Sequence, residues 1–232
     1  MSDTVQSTSK STADHPVIAF DGAITSTTLV QPGLAFAAEV IFYLQHPQLR
    51  KLASQKPPLH FHCYQEEYIE VTEGKLAVEA DGKEQVLTPE DGVFQIKPWT
   101  HHRLYPPPDD GSEITKFILS GAETEEQYQL DHLFFSNWYA YQDTVFVQGG
   151  KFSLVQILSM FDAGGSYLSF PKWVPGGRTL SRLMGIVVGR WIGGLMGYQP
   201  YYKEWSTDWE LACRRMEGSY FQRRFIDRLR SG

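Results

Sequence analysis

The residues most suited to chemistry lie in one short run of the sequence, from Pro58 to Gly74. Successive side chains of a β-strand point to opposite faces, so His60 and His62 project into the same space. Two imidazoles together with a nearby carboxylate make a ready chelate for a first-row divalent metal. The run therefore predicts a metal site in which His60, His62 and a glutamate are ligands.

The surrounding sequence indicates the elements that position these side chains. Short β-rich runs separated by turn signals extend from about residue 24 to residue 121. Asp81-Gly82 stands between two of them and predicts a two-residue hairpin, because both central positions need a positive φ. Many short strands at regular spacing favour an antiparallel sandwich or barrel. Beyond residue 123 the apolar spacing becomes helical, with a glycine-rich helix predicted over 180–198.

The run from His60 to Gly74 resembles the first motif of the cupin superfamily: His-x-His, three or four residues, Glu, six residues, Gly. Glu67 fits this spacing to Gly74, whereas Glu66 stands one residue too early. The resemblance therefore makes Glu67 the carboxylate ligand.

A second stretch, Gly92 to His102, is similar to the second cupin motif: Gly, five residues, Pro, x, Gly, two residues, His. Gly92 and Pro98 match, but the second glycine is missing, and literal counting places Arg103 at the histidine position. A one-residue deletion in the turn restores the register and puts His102 in the ligand position. His101 would then point elsewhere, toward the mouth of the pocket.

The resemblance implies a mainly β fold, the double-stranded β-helix or jelly-roll barrel of cupins, with a helical C-terminal extension. The metal ligands that it implies are His60, His62, Glu67 and His102. Imidazoles with one carboxylate suit Fe(II), Mn, Ni, Cu or Zn. Oxygen chemistry favours Fe(II), and a pocket that works without metal stays an alternative.

Function must be argued from the site, because cupins host many unrelated activities. The chain looks like the compact single-barrel cupins of fungal secondary-metabolite biosynthesis, which implies an enzyme acting on a small apolar or aromatic metabolite of polyketide or terpenoid type. The first hypothesis is metal-dependent oxygenation. One alternative is a redox-neutral isomerase, dehydratase or cyclase, including a pericyclase, and another is a non-catalytic cupin that binds a small ligand. Glu67, His101, Tyr64 and Arg103 are the candidate catalytic groups, as acids, bases or anion-binding side chains.

Three segments are predicted along the chain. Residues 1–14 are polar, rich in Ser and Thr, and predicted to be a disordered leader. Residues 15–122 form the barrel, and residues 123–232 form a helical region that packs on it as a lid or a dimer contact. Within that region glycines recur every four residues from Gly185 to Gly197, a stripe that lets a neighbouring element approach closely. Thr207 is predicted to cap a last helix that runs from residue 208 to about 228.

Charge and cysteine content limit the partners and the compartment. The formal net charge of −6 argues against a nucleic-acid binder, which needs a basic face. The 2 cysteines lie far apart and give no disulfide framework, and neither a signal-peptide core nor a long uncharged apolar segment occurs. The sequence predicts a cytoplasmic protein without a transmembrane span, a small hydrophobic or aromatic substrate, and, from the resemblance to cupins, a homodimer.

Overall fold

The computed structural model of the protein describes residues 16–107 and 111–226. The predicted leader, residues 1–14, lies outside these ranges. The strands are β1 Val17–Ala19, β2 Ile24–Thr28, β3 Leu34–Tyr43, β4 His60–His62, β5 Glu67–Glu73, β6 Leu76–Ala80, β7 Lys83–Leu87, β8 Val93–Ile96, β9 His102–Tyr105, β10 Ile114–Ala122 and β11 Ser166–Leu168. The helices are α1 Pro47–Leu52, α2 His132–Phe146, α3 Leu154–Ala163, α4 Gly177–Met184, a π-helix Gly185–Gly193, α5 Gly194–Met196 and α6 Trp209–Glu217, with 3-10 turns at Pro89–Asp91, Lys203–Trp205 and Arg223–Phe225.

Two antiparallel sheets face each other across an apolar core. The first sheet has the order β1-β2-β3-β10-β5-β8, and the second has the order β11-β4-β9-β6-β7. Inward side chains of both sheets, among them Ile69, Leu119, Leu76 and Val78, pack into one buried cluster. Alternation along each strand turns every second side chain into this core. The architecture confirms the predicted fold class, a mainly β cupin fold with a helical C-terminal part.

The predicted hairpin at Asp81-Gly82 joins β6 to β7. Asp81 has a φ of 49° and Gly82 a φ of 81°, both in the left-handed region. The strands pair from Ala80 and Lys83 outward. The two-residue turn signal in the sequence is thus confirmed.

The C-terminal part of the chain adds a strand to the second sheet. β11 pairs with β4 in antiparallel register, so that Ser166 lies opposite His62 and Leu168 lies opposite His60. The β4 strand is short, and β11 covers the edge that β9 leaves open. The strand that carries the His-x-His motif is therefore held by two parts of the chain that are distant in sequence.

The glycine-rich segment is helical from residue 177 to residue 196, with a π-helix in its middle. Its glycine stripe lies against α3 and β11. A Cβ atom at Gly189 would come within 2.5 Å of the Leu158 backbone, and one at Gly185 would come within 2.8 Å of the Tyr167 ring. Small residues therefore let this segment approach α3 closely, as the stripe in the sequence predicts.

The last helix differs from the prediction at both ends. Asp208, rather than Thr207, caps α6, because its side chain accepts a hydrogen bond from the Leu211 amide at 2.8 Å. The helix ends at Glu217, where Gly218 follows, and so stops well short of residue 228. None of the helices within the described ranges is long and apolar enough to cross a bilayer.

The close approach at Gly189 makes a stability prediction. We expect Gly189→Ala to lower the free energy of unfolding by about 2 kcal/mol, because the added methyl group meets backbone atoms that cannot move aside. Alanine would otherwise stabilise a helix by roughly 1 kcal/mol relative to glycine. Urea unfolding followed by tryptophan fluorescence measures the difference.

Gly193→Ala is the matched control, because its Cβ would meet the Val155 side chain at 3.1 Å and the Val188 carbonyl at 3.2 Å, both looser than the contact at Gly189. A valine methyl group can shift by a few tenths of an ångström, so this variant should stay within about 1 kcal/mol of the wild type. Equal stability of the Gly189→Ala variant and the wild type would contradict the packing described here.

Candidate metal centre

Three of the predicted ligands meet between the two sheets. His60, His62 and His102 each offer one nitrogen, and these nitrogens all lie within 4.8 Å of one another. His62 and His102 are buried, whereas His60 is partly accessible. The Nε2 atoms of His62 and His102 are 3.2 Å apart. The three histidines thus form a cluster of potential nitrogen ligands in which His60 is the accessible residue.

Strand pairing produces this arrangement. His60 and His62 share one face of β4, and Phe61 between them faces the other way. His102 begins β9 and lies directly opposite His60 in the antiparallel pair, which places the two rings 4.4 Å apart between centroids. Side chains that lie opposite each other in a pair share a face of the sheet. Three imidazoles therefore enter the barrel together.

A tight turn sets the position of His102. Trp99 has a φ of 68°, a conformation that favours glycine. With one residue deleted after Pro98, Trp99 takes the place of the glycine that the second cupin motif lacks here. The Trp99 ring stacks on Phe61 at 5.6 Å, and its amide donates to the His62 carbonyl at 2.7 Å. These contacts hold a residue other than glycine in the turn and bring His102 into register.

Glu67 reaches the same point from the opposite sheet. It is the first residue of β5, its side chain faces inward with that of Ile69, and it is 4% exposed. Glu67 Oε2 lies 2.8 Å from His102 Nε2 and 3.6 Å from His62 Nε2. The four predicted metal ligands thus converge, three from the second sheet and one from the first.

Hydrogen bonds on the outer side of each ring orient the histidines. His102 Nδ1 donates to the Thr100 carbonyl at 2.8 Å, and His60 Nδ1 to the Pro58 carbonyl at 3.2 Å. His62 Nδ1 lies 2.8 Å from the Ser166 hydroxyl, which in turn donates to the Gly164 carbonyl at 3.3 Å. In these tautomers each neutral ring keeps its lone pair on Nε2. Outer hydrogen bonds of this kind fix the orientation of metal-binding histidines.

The electrostatics of the cluster favour ligand formation. Burial, together with the neighbouring imidazoles of His102 and His62, lowers the pKa of His60 well below its ordinary value. Burial also lowers the pKa of His62. Burial would raise the pKa of Glu67, but the imidazoles of His102 and His62 outweigh it and hold that pKa far below its usual range. Neutral imidazoles and an ionised carboxylate are the protonation states in which these groups bind metal.

The residues fit a first-row divalent metal ion. Glu67 Oε2 is buried and has no hydrogen-bond partner among the described residues, although imidazole nitrogens surround it. A buried, unsatisfied carboxylate oxygen carries a large desolvation penalty. A cation held by His60, His62, His102 and Glu67 would satisfy this oxygen. The mixed nitrogen and oxygen donors suit iron, manganese, nickel, copper or zinc rather than magnesium or calcium.

Aromatic side chains from the helical region cover the accessible side of the cluster. Phe161 of α3 lies edge-on to His60, with 5.9 Å between the ring centroids. Trp138 and Phe134 of α2 pack against Phe161 at 5.0 Å and 6.1 Å. The only partly accessible ligand therefore faces an apolar, aromatic wall.

The other predicted catalytic residues lie outside the cluster. Arg103 follows His102 in β9, so alternation turns it outward, where its guanidinium pairs with Glu79 at 2.6 Å. Tyr64 is 46% exposed and lies beneath the Arg182 guanidinium. His101 is on the outer side of the second sheet, where its ring contacts Phe61 at 5.1 Å between centroids. Of the four candidates only Glu67 faces the three histidines.

His101 belongs to a separate cleft of about 220 Å³ that none of the four convergent residues lines. Its Nδ1 lies 2.6 Å from the Ser169 hydroxyl, and its Nε2 accepts a hydrogen bond from Arg178 Nε at 3.1 Å. The expectation that His101 faces the mouth of the metal pocket is therefore not met.

Sequence reasoning missed Ser166 and Phe161, which contact the cluster from the C-terminal part. Ser166 is 104 residues from His62 along the chain. Ser166 follows two glycines and begins the three-residue strand β11, which is too short for a periodic pattern to be recognised. Phe161 ends a short apolar segment of the sequence, residues 152–161, and nothing in its spacing indicates which aromatic ring meets His60.

No family model matches the chain. Over 219 residues the chain is 43% identical to the protein named "Probable oxidoreductase yanE" from Aspergillus niger, and the match covers 93% of this chain and 85% of that protein. Over 172 residues it is 42% identical to "Epoxidase atD" from Aspergillus terreus, covering 74% of this chain and 53% of that protein.

Among solved structures, the cupin domain of Schizosaccharomyces pombe Cnp3 is similar to part of the chain. The overlap covers 44% of this chain and 65% of that chain, at 16% identity and a TM-score of 0.33. The two sheets and the motif residues, rather than this overlap, carry the assignment to the cupin fold.

The convergence of Glu67 with the histidines makes a prediction about metal affinity. We expect Glu67→Gln to weaken Fe(II) binding by more than the roughly 10–100-fold that loss of an outer hydrogen-bond partner causes, because an ionised ligand is lost. Glu66→Gln is the control, since the Glu66 carboxylate faces away and accepts from Tyr68 and Gln95 at 2.6 Å and 2.9 Å. Anaerobic titration against a competing chelator gives both affinities, and equal affinities would refute the assignment of Glu67.

The hydrogen bond between Ser166 and His62 predicts a smaller effect. Ser166→Ala removes the acceptor of His62 Nδ1, so the ring loses its fixed tautomer, and metal affinity should fall about tenfold. Ser169→Ala is matched to it, because the Ser169 hydroxyl bonds only to His101 and leaves the cluster intact. The same titration distinguishes the two variants; a weaker affinity for Ser169→Ala than for Ser166→Ala would be the contrary result.

Proposed function

The chain belongs to the family of cupin-fold oxidoreductases that includes yanE of Aspergillus niger, and we propose that it catalyses metal-dependent oxygenation of a small apolar or aromatic metabolite. Fe(II) is the metal that we propose, and secondary-metabolite biosynthesis is the setting of the reaction. The name of the relative atD, an epoxidase, supports insertion of oxygen as the reaction type. As a member of an oxidoreductase family the chain is an enzyme, which leaves the alternative of a non-catalytic ligand carrier without support.

The observation that carries the proposal is the buried cluster of three histidines and one carboxylate. Its outer ring nitrogens have acceptors already, so its four donors can all turn inward. Iron enzymes that use dioxygen hold the metal with a few imidazole and carboxylate ligands and leave other positions open. When bound, iron supplies the one-electron chemistry that activates dioxygen.

The side chains around the cluster support the class of substrate that we propose. Phe161, backed by Trp138 and Phe134, offers ring faces and edges rather than hydrogen-bond donors. Such a wall binds flat or apolar molecules by burial and ring contact. It also keeps water from the site, which limits side reactions of reactive species. These contacts support a small hydrophobic or aromatic metabolite as substrate.

His102 and Glu67 form the pair in the cluster that could hold a proton in the absence of metal. Burial opposes protonation of His102, but the adjacent Glu67 carboxylate outweighs this effect and raises the pKa of His102. His102 Nε2 and Glu67 Oε2 are 2.8 Å apart. This pair favours the second candidate function, a redox-neutral isomerisation, dehydration or cyclisation, because it could exchange a proton with a bound substrate.

Two measurements on the Fe(II)-loaded protein separate these functions. Nitric oxide, a stable substitute for dioxygen, should give the paramagnetic resonance signal of an iron–nitrosyl complex, because oxygenation needs an open position at the metal. Incubation with a panel of alkylated phenols and hydroquinones under isotopically labelled dioxygen should then give a product that carries the label. Glu66→Gln serves as the active control, and Glu67→Gln should show neither result.

For each of these two measurements, one outcome would contradict oxygenation. Product formation at equal rate without dioxygen would establish the redox-neutral alternative. Absence of a nitrosyl signal from fully loaded protein would show that the metal has no open position, and oxygenation would be ruled out.

A further inference from the structure

The helical segment from residue 177 to residue 196 leaves an apolar face uncovered. Its glycine stripe is buried against α3, but six large apolar side chains on its other side are between 41% and 63% exposed: Leu180, Leu183, Trp191, Ile192, Leu195 and Met196. Two aromatic residues outside the segment extend the exposed surface, Trp173 at 82% and Tyr220 at 70%. We call these eight residues the apolar ridge. Large exposed apolar patches on proteins mark sites of interaction with another protein or a membrane.

Two of the three arginines within the segment do not interrupt the ridge. Arg190 turns inward and forms a two-point ion pair with Asp162 at 2.6 Å and 2.9 Å. Arg182 lies over the Tyr64 ring, 5.6 Å from its centroid. The third, Arg178, is exposed near the start of the segment, and most of the other exposed side chains are apolar.

The segment that carries most of the ridge contains no acidic residue. The stretch from residue 171 to residue 203 contains no Asp or Glu, although the whole chain has a net charge of −6. Exposed cations stand at both ends of the ridge: Lys172 and Arg178 precede it, and Arg224 donates to the Leu195 carbonyl at 2.8 Å. An apolar surface bordered by cations in an acidic protein has the charge pattern complementary to an anionic partner.

A cationic cleft adjoins the start of the ridge. The cleft of about 220 Å³ beside His101 is also lined by Lys172 and Arg178. Its one acidic lining residue, Glu79, is neutralised by Arg103 at 2.6 Å. The cleft lies where the chain enters α4.

We propose that the apolar ridge docks on an anionic phospholipid surface, with its side chains in the interfacial layer and the flanking cations on lipid phosphates. Apolar and aromatic side chains next to Lys and Arg are the combination by which helices lie in a membrane interface. A second copy of the chain is a poorer occupant. Arg178 and Arg224 stand at opposite ends, so a two-fold contact between ridges brings cation against cation.

Flotation of the purified full chain with vesicles tests this proposal. The chain should float with vesicles of phosphatidylcholine mixed with phosphatidylserine, and much less with phosphatidylcholine alone or at high salt. The double variant Lys172→Gln/Arg178→Gln should bind the mixed vesicles more weakly, by about fivefold for each cation removed. Leu195→Asp should abolish flotation, because it puts a charge into the apolar layer.

A control variant and two further measurements separate loss of vesicle binding from loss of folding and from changes at the active site. Val30→Asp is the matched control, since Val30 is 78% exposed on the first sheet side of the protein, and it should float as the wild type does. Thermal unfolding and Fe(II) content verify that each variant is folded. Two outcomes would overturn the proposal. One is failure of the wild type to float with mixed vesicles; the other is a dimer in light scattering that Leu195→Asp converts to monomer, which would assign the ridge to a second copy.

Discussion

The structure depends on the negative charge of one buried carboxylate, which groups of the opposite sheet have to compensate. The Glu67 carboxylate enters an apolar core from β5, where an isolated anion would be strongly unfavourable. Among the residues that the structure describes, the imidazoles of His62 and His102, which come from the opposite sheet, lie close enough to offset it. Correct pairing of β4 with β9 and correct facing of the two sheets are therefore both needed before this charge is stabilised. A metal ion would satisfy the same requirement more fully, so metal binding and closure of the barrel are thermodynamically linked.

The C-terminal part of the chain completes this centre as well as covering it. β11 pairs along β4, and Ser166 fixes the tautomer of His62. Helix α3 also contributes to the centre, because its Phe161 ring contacts the accessible edge of His60. The buried Asp162, next to Phe161, is neutralised by Arg190 of the π-helix. The wall of the pocket is thus tied to the segment that carries the ridge, and a change in one should be felt in the other.

The parts that the sequence predicts well are those fixed by local chemistry. The turn at Asp81-Gly82 and the spacing of His60, His62 and Glu67 are constraints within a few residues; the turn is confirmed, and the three side chains converge. Strand alternation alone would have predicted that the Arg103 side chain faces away from the pocket, because Arg103 is adjacent to His102 in one strand. Ser166 could not have been found, since its role arises only when β11 pairs with a strand far away in the chain. Trp99 shows a further limit of sequence-based prediction. The second cupin motif lacks its glycine here, but stacking of the Trp99 ring on Phe61 lets a tryptophan occupy the left-handed turn.

The position of the ridge also bears on how an apolar substrate would reach the centre. The π-helix packs on the backbone of Leu158, one turn of α3 before Phe161, and Phe161 is the residue between the exterior and His60. The distance from the apolar surface to the pocket is therefore about the thickness of one helix. A hydrophobic metabolite dissolved in a lipid layer would have a short distance to cross to such a pocket, and burial of its apolar surface would favour its transfer to the aromatic wall. The aromatic wall, the inward-facing Arg190 and the exposed apolar ridge lie on adjacent helices, which relates the proposed docking surface to the pocket.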